Sequence, residues 1–150
     1  MKTRIGILGM GGVGGYFGGL LAKAYAKSDS IEIVFIARRE TQKTIAQDGL
    51  KIILDESEMT VFPSIVSDDS KIIGKLDYLI CATKTYDIEE SLLSFKTNIT
   101  KNTIILPLYN GVDAPERQAV KKPLFPIEIF KLSYSTIQIK PFKKLLFLSC

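Results

Sequence analysis

A run of apolar residues broken by glycine at short intervals constrains this chain more than any other feature. From Ile5 to Leu21 it reads IGILGMGGVGGYFGGLL, and Gly9, Gly11 and Gly14 have the spacing G-x-G-x-x-G. The apolar stretch Ile5-Gly6-Ile7-Leu8 leads in, and an Ala- and Leu-containing run to Ala26 leads out. That context predicts a strand, a tight turn and a helix. Gly9 permits the sharp turn, Gly11 lets backbone approach a pyrophosphate, and Gly14 lets helix and strand pack closely. The free N–H groups at the positive end of the helix then receive the phosphates.

The same residues carry a rival reading. No residue from Ile5 to Ala22 is charged, Lys2 and Arg4 precede the run, and Ala22-Lys23-Ala24 resembles a signal-peptidase site. A secretory signal or a membrane helix with small-xxx-small spacing would look similar. Eight of the eighteen residues are glycine, however, and each interior glycine costs a helix about 1 kcal/mol relative to Ala. The dinucleotide turn is the preferred reading, and no other run is long enough to span a bilayer.

One hundred and fifty residues suffice for one domain with a real core. The two cysteines, Cys81 and Cys150, form no short-spaced pair, which suits a reducing cytoplasm and gives no metal motif. The chain contains no histidine. A histidine general acid and His-ligated zinc are therefore excluded, and proton transfer falls to Lys, Tyr, Asp, Glu or water. The net charge of +4 divides unevenly: residues 121–150 hold six lysines and Glu128 alone, a balance of +5. The first 120 residues hold fourteen basic and fifteen acidic side chains, or −1, and show no basic face for nucleic acid.

Taken in order, Arg4–Leu8 is predicted as a strand and Gly12 to about Lys27 as a helix. Ile31–Ala37 (IEIVFIA) is a strand buried on both faces. Thr41–Asp48 is a short helix stopped by Gly49. Leu50–Leu54 and Met59–Ile65, joined by the acidic Asp55-Glu56-Ser57-Glu58, form a hairpin or adjacent short strands. Ser67–Lys75 is linker with a helix remnant. Leu76–Ala82 is a buried strand, Asp87 caps a helix running to about Lys96, and Thr103–Leu108 is the next strand. Pro115 begins a further helix. Alternating strands and helices predict an α/β fold with a doubly wound, mainly parallel sheet, in which ligands lie beyond the carboxyl ends of the strands. Met10–Gly14, Arg38, Lys84 and Asn110 all follow predicted strands and so converge on one edge.

After the second strand, a fold specific for NAD places an Asp or Glu against the ribose hydroxyls. Here the position reads Ala37-Arg38-Arg39. A guanidinium makes charge-assisted bonds to a 2′-phosphate that a carboxylate would repel, so NADP is expected over NAD or FAD. The competing account makes Arg38 and Arg39 solvated residues at a strand end. Glu40 is a nearby acid but a less natural ribose partner. Lys84 is either a ribose or carboxylate ligand or a surface lysine in a loop. Asn110 is either a site residue or half of an ordinary Asn-Gly turn.

Together GMGGVGGYFGGLLA, the strand ending in Arg38, ATKTYD around Lys84 and LPLYNGVDAPE around Asn110 resemble the amino-terminal domain of the ketopantoate reductase (2-dehydropantoate 2-reductase) family. The resemblance covers residues 1 to about 120. It implies a Rossmann-like fold and NADPH-dependent reduction of 2-dehydropantoate to pantoate, on the route to coenzyme A. It implies that Gly9, Met10, Gly11, Gly12, Val13 and Gly14 bind the pyrophosphate and that Arg38 binds the 2′-phosphate. It also implies cofactor contact for Lys84, and contact with cofactor and substrate for Asn110. The family's proton-donating lysine and most substrate contacts belong to a helical carboxyl-terminal domain, so no catalytic residue is expected within this chain.

Residues 121–150 depart from the family. They contain no Gly, Ala, Arg or Asp, a composition that fits out-of-frame translation of an A/T-rich gene. The expectation is a NADP-binding domain over 1–120 and an atypical tail over 121–150, by frameshift or truncation. A divergent genuine end, with Ile127–Ile139 adding strands, is the alternative. Two functional classes stand: a cytoplasmic NADPH-dependent 2-oxo acid reductase, and a non-catalytic NADP-binding module or inactive fragment. A short-chain reductase is disfavoured, since no tyrosine has a lysine four positions on. No oligomeric state is assigned.

Overall fold

The computed structural model describes residues 2–54, 57–83 and 88–108. Eleven elements follow one another: β1 (Thr3–Leu8), α1 (Gly12–Ala24), β2 (Ile31–Ile36), α2 (Arg39–Asp48), β3 (Leu50–Leu54), β4 (Ser57–Val61), β5 (Ile65–Ser67), α3 (Ser70–Ile73), β6 (Tyr78–Cys81), α4 (Ile88–Ser94) and β7 (Ile104–Pro107). Five strands form a sheet in the order β5-β2-β1-β6-β7, and every pairing in it is parallel. The chain winds outward from β1 in one direction as far as β5, then returns to the other side of β1 for β6. That reversal makes the carboxyl ends of β1 and β6 a topological switch point, and the fold Rossmann-like.

Two apolar layers follow from the two-residue period of the strands. On one face Ile7, Ile33, Phe35 and Ala37 pack with Ala22, Ile45, Ile52 and Val61. On the other, Leu8, Val34, Ile36, Leu79, Cys81 and Ile105 pack with Ile73, Phe95 and Ile99. Phe35 is completely buried, and burial of one such side chain contributes about 2–3 kcal/mol. The nearly continuous apolar run of β2, interrupted by Glu32 near its start, is thus explained by a strand covered on both sides.

The glycines of α1 set how close that helix lies to the sheet. A Cβ on Gly18 would sit 3.2 Å from Ile7 and Phe35, and one on Gly19 would overlap Ile52 of β3. Their role is packing between a helix and its neighbours. No helix among the described residues is long and apolar enough to cross a membrane.

Several expected boundaries move. The first helix ends at Ala24, with the Tyr25 N–H closing on Leu21 O, rather than near Lys27. The second starts at Arg39 rather than Thr41. The expected strand Met59–Ile65 is two strands. β4 pairs antiparallel with β3 and stops at Val61. Beyond Pro63, whose ring nitrogen carries no hydrogen to donate, the chain changes partner. Ser64 N–H donates to Ile33 O at 2.9 Å, and Ile65 joins Val34 of β2 in the main sheet. Asp87, the loop at Lys84, Asn110, the helix expected from Pro115 and the whole of 121–150 lie outside the described residues.

Candidate functional site

Three strand ends open onto one cleft of about 550 Å³. The β1–α1 turn supplies Leu8, Gly9, Met10 and Gly11; the β2–α2 junction supplies Ile36, Ala37, Arg38 and Thr41; Thr83 after β6 and Glu90 and Ser91 of α4 complete the wall. Two segments that the sequence placed at one edge, Met10–Gly14 and Arg38, are therefore brought together. Lys84 and Asn110 lie outside the described residues.

The turn is built as its glycines require. Gly9 has φ +94°, a backbone state that L side chains rarely adopt, and a Cβ there would lie 2.9 Å from Thr83 Cγ2. Gly14 lies against the carbonyl of Gly9, where a Cβ would overlap the oxygen. Gly11 and Gly12 differ: a Cβ on either would meet no atom of the described residues within 4 Å. These two glycines leave open space above the backbone, room for another molecule rather than for a neighbouring element.

The helix start faces that space without compensation. Gly11 is the N-cap and offers no side-chain oxygen, and the first turn of α1 contains no acidic residue. The first helical bond runs from Gly15 N–H to Gly11 O at 2.7 Å. The amides of Gly12, Val13 and Gly14 precede it and have no acceptor within the helix. Free N–H groups at a positive helix end suit an anion.

Arg38 lies two residues past β2 in extended backbone, φ −114° and ψ 155°, as the N-cap of α2. Its side chain is exposed, and its guanidinium carbon lies 5.9 Å from the ring centroid of Phe95. Arg39 follows with φ +52°, the one left-handed non-glycine residue among those described. The nearby acid is occupied elsewhere: Glu40 pairs with Lys43 at 2.9 Å. Glu40 lines a separate depression between α2 and β3, not this cleft. The junction therefore presents one cation, Arg38, to the cleft.

Spacing alone did not single out Thr83, Ser91 and Phe95. The Thr83 Oγ1 is buried and has no hydrogen-bond partner among the described residues, an unusual state for a hydroxyl beside a cleft. Ser91 and Phe95 stand four residues apart, one helical turn, and that periodicity was the available signal. Cys81, at the end of β6, is no nucleophile at neutral pH, because burial pushes its thiol up to about 12.

A parallel sheet with its switch point at a glycine turn, an uncapped helix start and a cation after the second strand defines a Rossmann-like domain with a cleft suited to an anion. The chain belongs to the ketopantoate reductase PanE/ApbA family, whose model matches residues 5–124. It is 33% identical over 111 residues to the 2-dehydropantoate 2-reductase of Pyrococcus abyssi, a match covering 73% of this chain and 33% of that protein. The crystal structure of 2-dehydropantoate 2-reductase from Porphyromonas gingivalis W83 superposes with a TM-score of 0.73 at 36% identity, over 82% of this chain and 44% of that one. A PanE/ApbA family ketopantoate reductase from Ralstonia eutropha JMP134 gives 0.71 at 28% identity, over 85% and 40%. The chain spans about a third of the length of the curated relatives it matches.

Proposed function

We propose that this chain is the NADP-holding unit of an NADPH-dependent reductase that converts 2-dehydropantoate to pantoate in the cytoplasm. The observation that carries the reading is the β2–α2 junction, where Arg38 faces the cleft and Glu40 is tied to Lys43. A 2′-phosphate is welcome at such a junction, where no carboxylate of the β2–α2 segment lines the cleft. The pyrophosphate lies over Gly9, Met10, Gly11, Gly12, Val13 and Gly14, whose open space and free amides suit it. Lys84 and Asn110, by the family's pattern, extend the site toward nicotinamide and substrate. NADPH, when bound, supplies the hydride. The residues of this chain bind and orient it, and the proton donor is assigned to the family's helical domain rather than to any residue here.

Residues 1–120 form the cofactor domain in this reading, with 121–150 a separate tail. Nicotinamide fluorescence titration of the purified chain tests it. NADPH should saturate at concentrations at least tenfold below NADH, and Arg38→Met should erase the difference. Equal affinities in the unaltered chain would count against NADP. The alternative is a cofactor-binding module without turnover, which takes up NADPH but passes no hydride to 2-dehydropantoate. Steady-state reduction of 2-dehydropantoate by the same preparation separates the two.

A further inference from the structure

Arg38 is a long, exposed side chain, yet its guanidinium has a fixed neighbour. The charge lies over the face of Phe95, 5.9 Å from the ring centroid, within the reach of a cation–π attraction. Phe95 is only 3% exposed and belongs to the core of Leu8, Val34, Ile36 and Leu79. Its N–H donates to Leu92 O at 3.2 Å, so it extends α4 by one residue past Ser94 and stands one turn beyond the cleft residue Ser91. The ring is thus held by packing, and the guanidinium is the partner with freedom to lose.

Among the described residues, no carboxylate and no hydrogen-bond acceptor engages the Arg38 side chain. An aromatic face orients a guanidinium without using its N–H donors, whereas a carboxylate would take the same donors that a phosphate needs. A leucine would supply apolar contact at this position but no ring face to attract a cation.

We propose that Phe95 is a positioning residue for the cofactor site. It holds the Arg38 guanidinium across the cleft between β2 and α4 and so contributes to the choice of NADPH over NADH. This rests on the reading of Arg38 as the 2′-phosphate ligand. Part of the ordering that binding requires is then complete before the cofactor arrives.

The test is a double-mutant cycle read by fluorescence titration with NADPH and with NADH, on the full chain. Phe95→Leu should weaken NADPH about two- to fivefold, the equivalent of an exposed cation–π contact, and leave NADH unchanged. Phe95→Tyr, which keeps the ring face, should restore the original ratio. In an Arg38→Met background, Phe95→Leu should change neither affinity. Should Phe95→Leu fail to fold by thermal melting, Phe95→Met takes its place with the same expectations. Equal loss of NADPH and NADH, or the same loss without Arg38, makes Phe95 a packing residue only and overturns the proposal. A chain that prefers NADPH, loses that preference in Arg38→Met and keeps it in Phe95→Leu retains the NADP reading while the role of Phe95 falls. A chain with no preference to begin with removes both.

Discussion

Gly14 lies so close to the carbonyl oxygen of Gly9 that no side chain fits between the first helix and the end of the first strand. The obstacle is backbone on both sides, and backbone cannot rotate away as the tip of a side chain can. Gly14→Ala should therefore open the turn and cost about 2–4 kcal/mol, the range of an overpacked or strained core site. Gly11→Ala is the contrasting case, because its Cβ would meet no atom of the described residues within 4 Å. It should leave stability within about 0.5 kcal/mol of the parent and weaken NADPH instead. Urea unfolding and NADPH titration on both variants give the comparison. Unchanged stability in Gly14→Ala would show that the turn is looser than its geometry indicates.

Arg39 occupies the left-handed region with φ +52° at the first position of α2. That conformation costs an L residue with a Cβ about 1–2 kcal/mol, and glycine almost nothing. Arg39→Gly should raise the unfolding free energy by up to about 1 kcal/mol, after the greater entropy of glycine in the unfolded chain is deducted. Chemical denaturation at neutral pH measures it. A destabilised variant would mean that the arginine side chain offsets its own strain through contacts with its surroundings.

The existence of β1, β2, β6 and β7 and the glycine turn were legible because each rests on local pattern. β2 declares itself by a nearly continuous apolar run, and Gly9, Gly11 and Gly14 by spacing. The switch from β4 to β5 was not legible. Met59–Ile65 is one stretch of alternating character, and only the sheet edge offered by Ile33 and Val34, thirty residues earlier, divides it at Pro63. The left-handed Arg39 was equally hidden, since nothing in arginine's propensities favours that state. Arg38 was found by position after a strand. Its ring partner Phe95 was not, because that contact joins residues 57 positions apart through the packing of α4 across the sheet.

Glu32 stands at the opposite end of the sheet, paired with Arg4 at 2.8 Å and Lys2 at 3.3 Å. Burial acts to raise its carboxyl, but the hydrogen bonds and charges of Lys2 and Arg4 outweigh it and hold the group below the usual carboxylate range. A lowered folded-state value means that the contribution is complete above the unfolded value and is lost as pH falls through the folded one. Glu32→Gln should therefore cost about 0.5–1 kcal/mol at pH 7, with parent and variant converging as the medium becomes more acid than the ordinary carboxylate range. Denaturation midpoints at pH 7 and pH 3 test the sign. A gap that persists undiminished at pH 3 would assign the effect to shape rather than to charge.

Asn98 fixes the far end of the helix that carries Ser91 and Phe95. It is 1% exposed, and its Nδ2 donates to Ser70 O at 2.7 Å and Gly74 O at 2.6 Å, which locks α3 against the segment after α4. Its own carbonyl accepts from Leu76 N–H at 2.9 Å, just before β6. Asn98→Ala removes both donors. Ser70 O keeps the Gly74 N–H at 3.1 Å, so the loss falls mainly on Gly74 O and on the space left behind, about 2–4 kcal/mol in all. Asn98→Asp is the sharper experiment. At neutral pH it sets a carboxylate against two carbonyl oxygens with no proton to share, and it should destabilise more than alanine does. Such a carboxyl titrates above its unfolded value in the folded chain, so the penalty grows as pH rises through the ordinary carboxylate range and shrinks as pH falls. Urea unfolding of the two variants at pH 4.5 and pH 7.5 should show aspartate recovering ground on alanine at the lower pH. If aspartate matches the parent at pH 7.5, the amide donors are not what holds α3 and α4 together, and the register of the cleft wall depends on apolar packing alone.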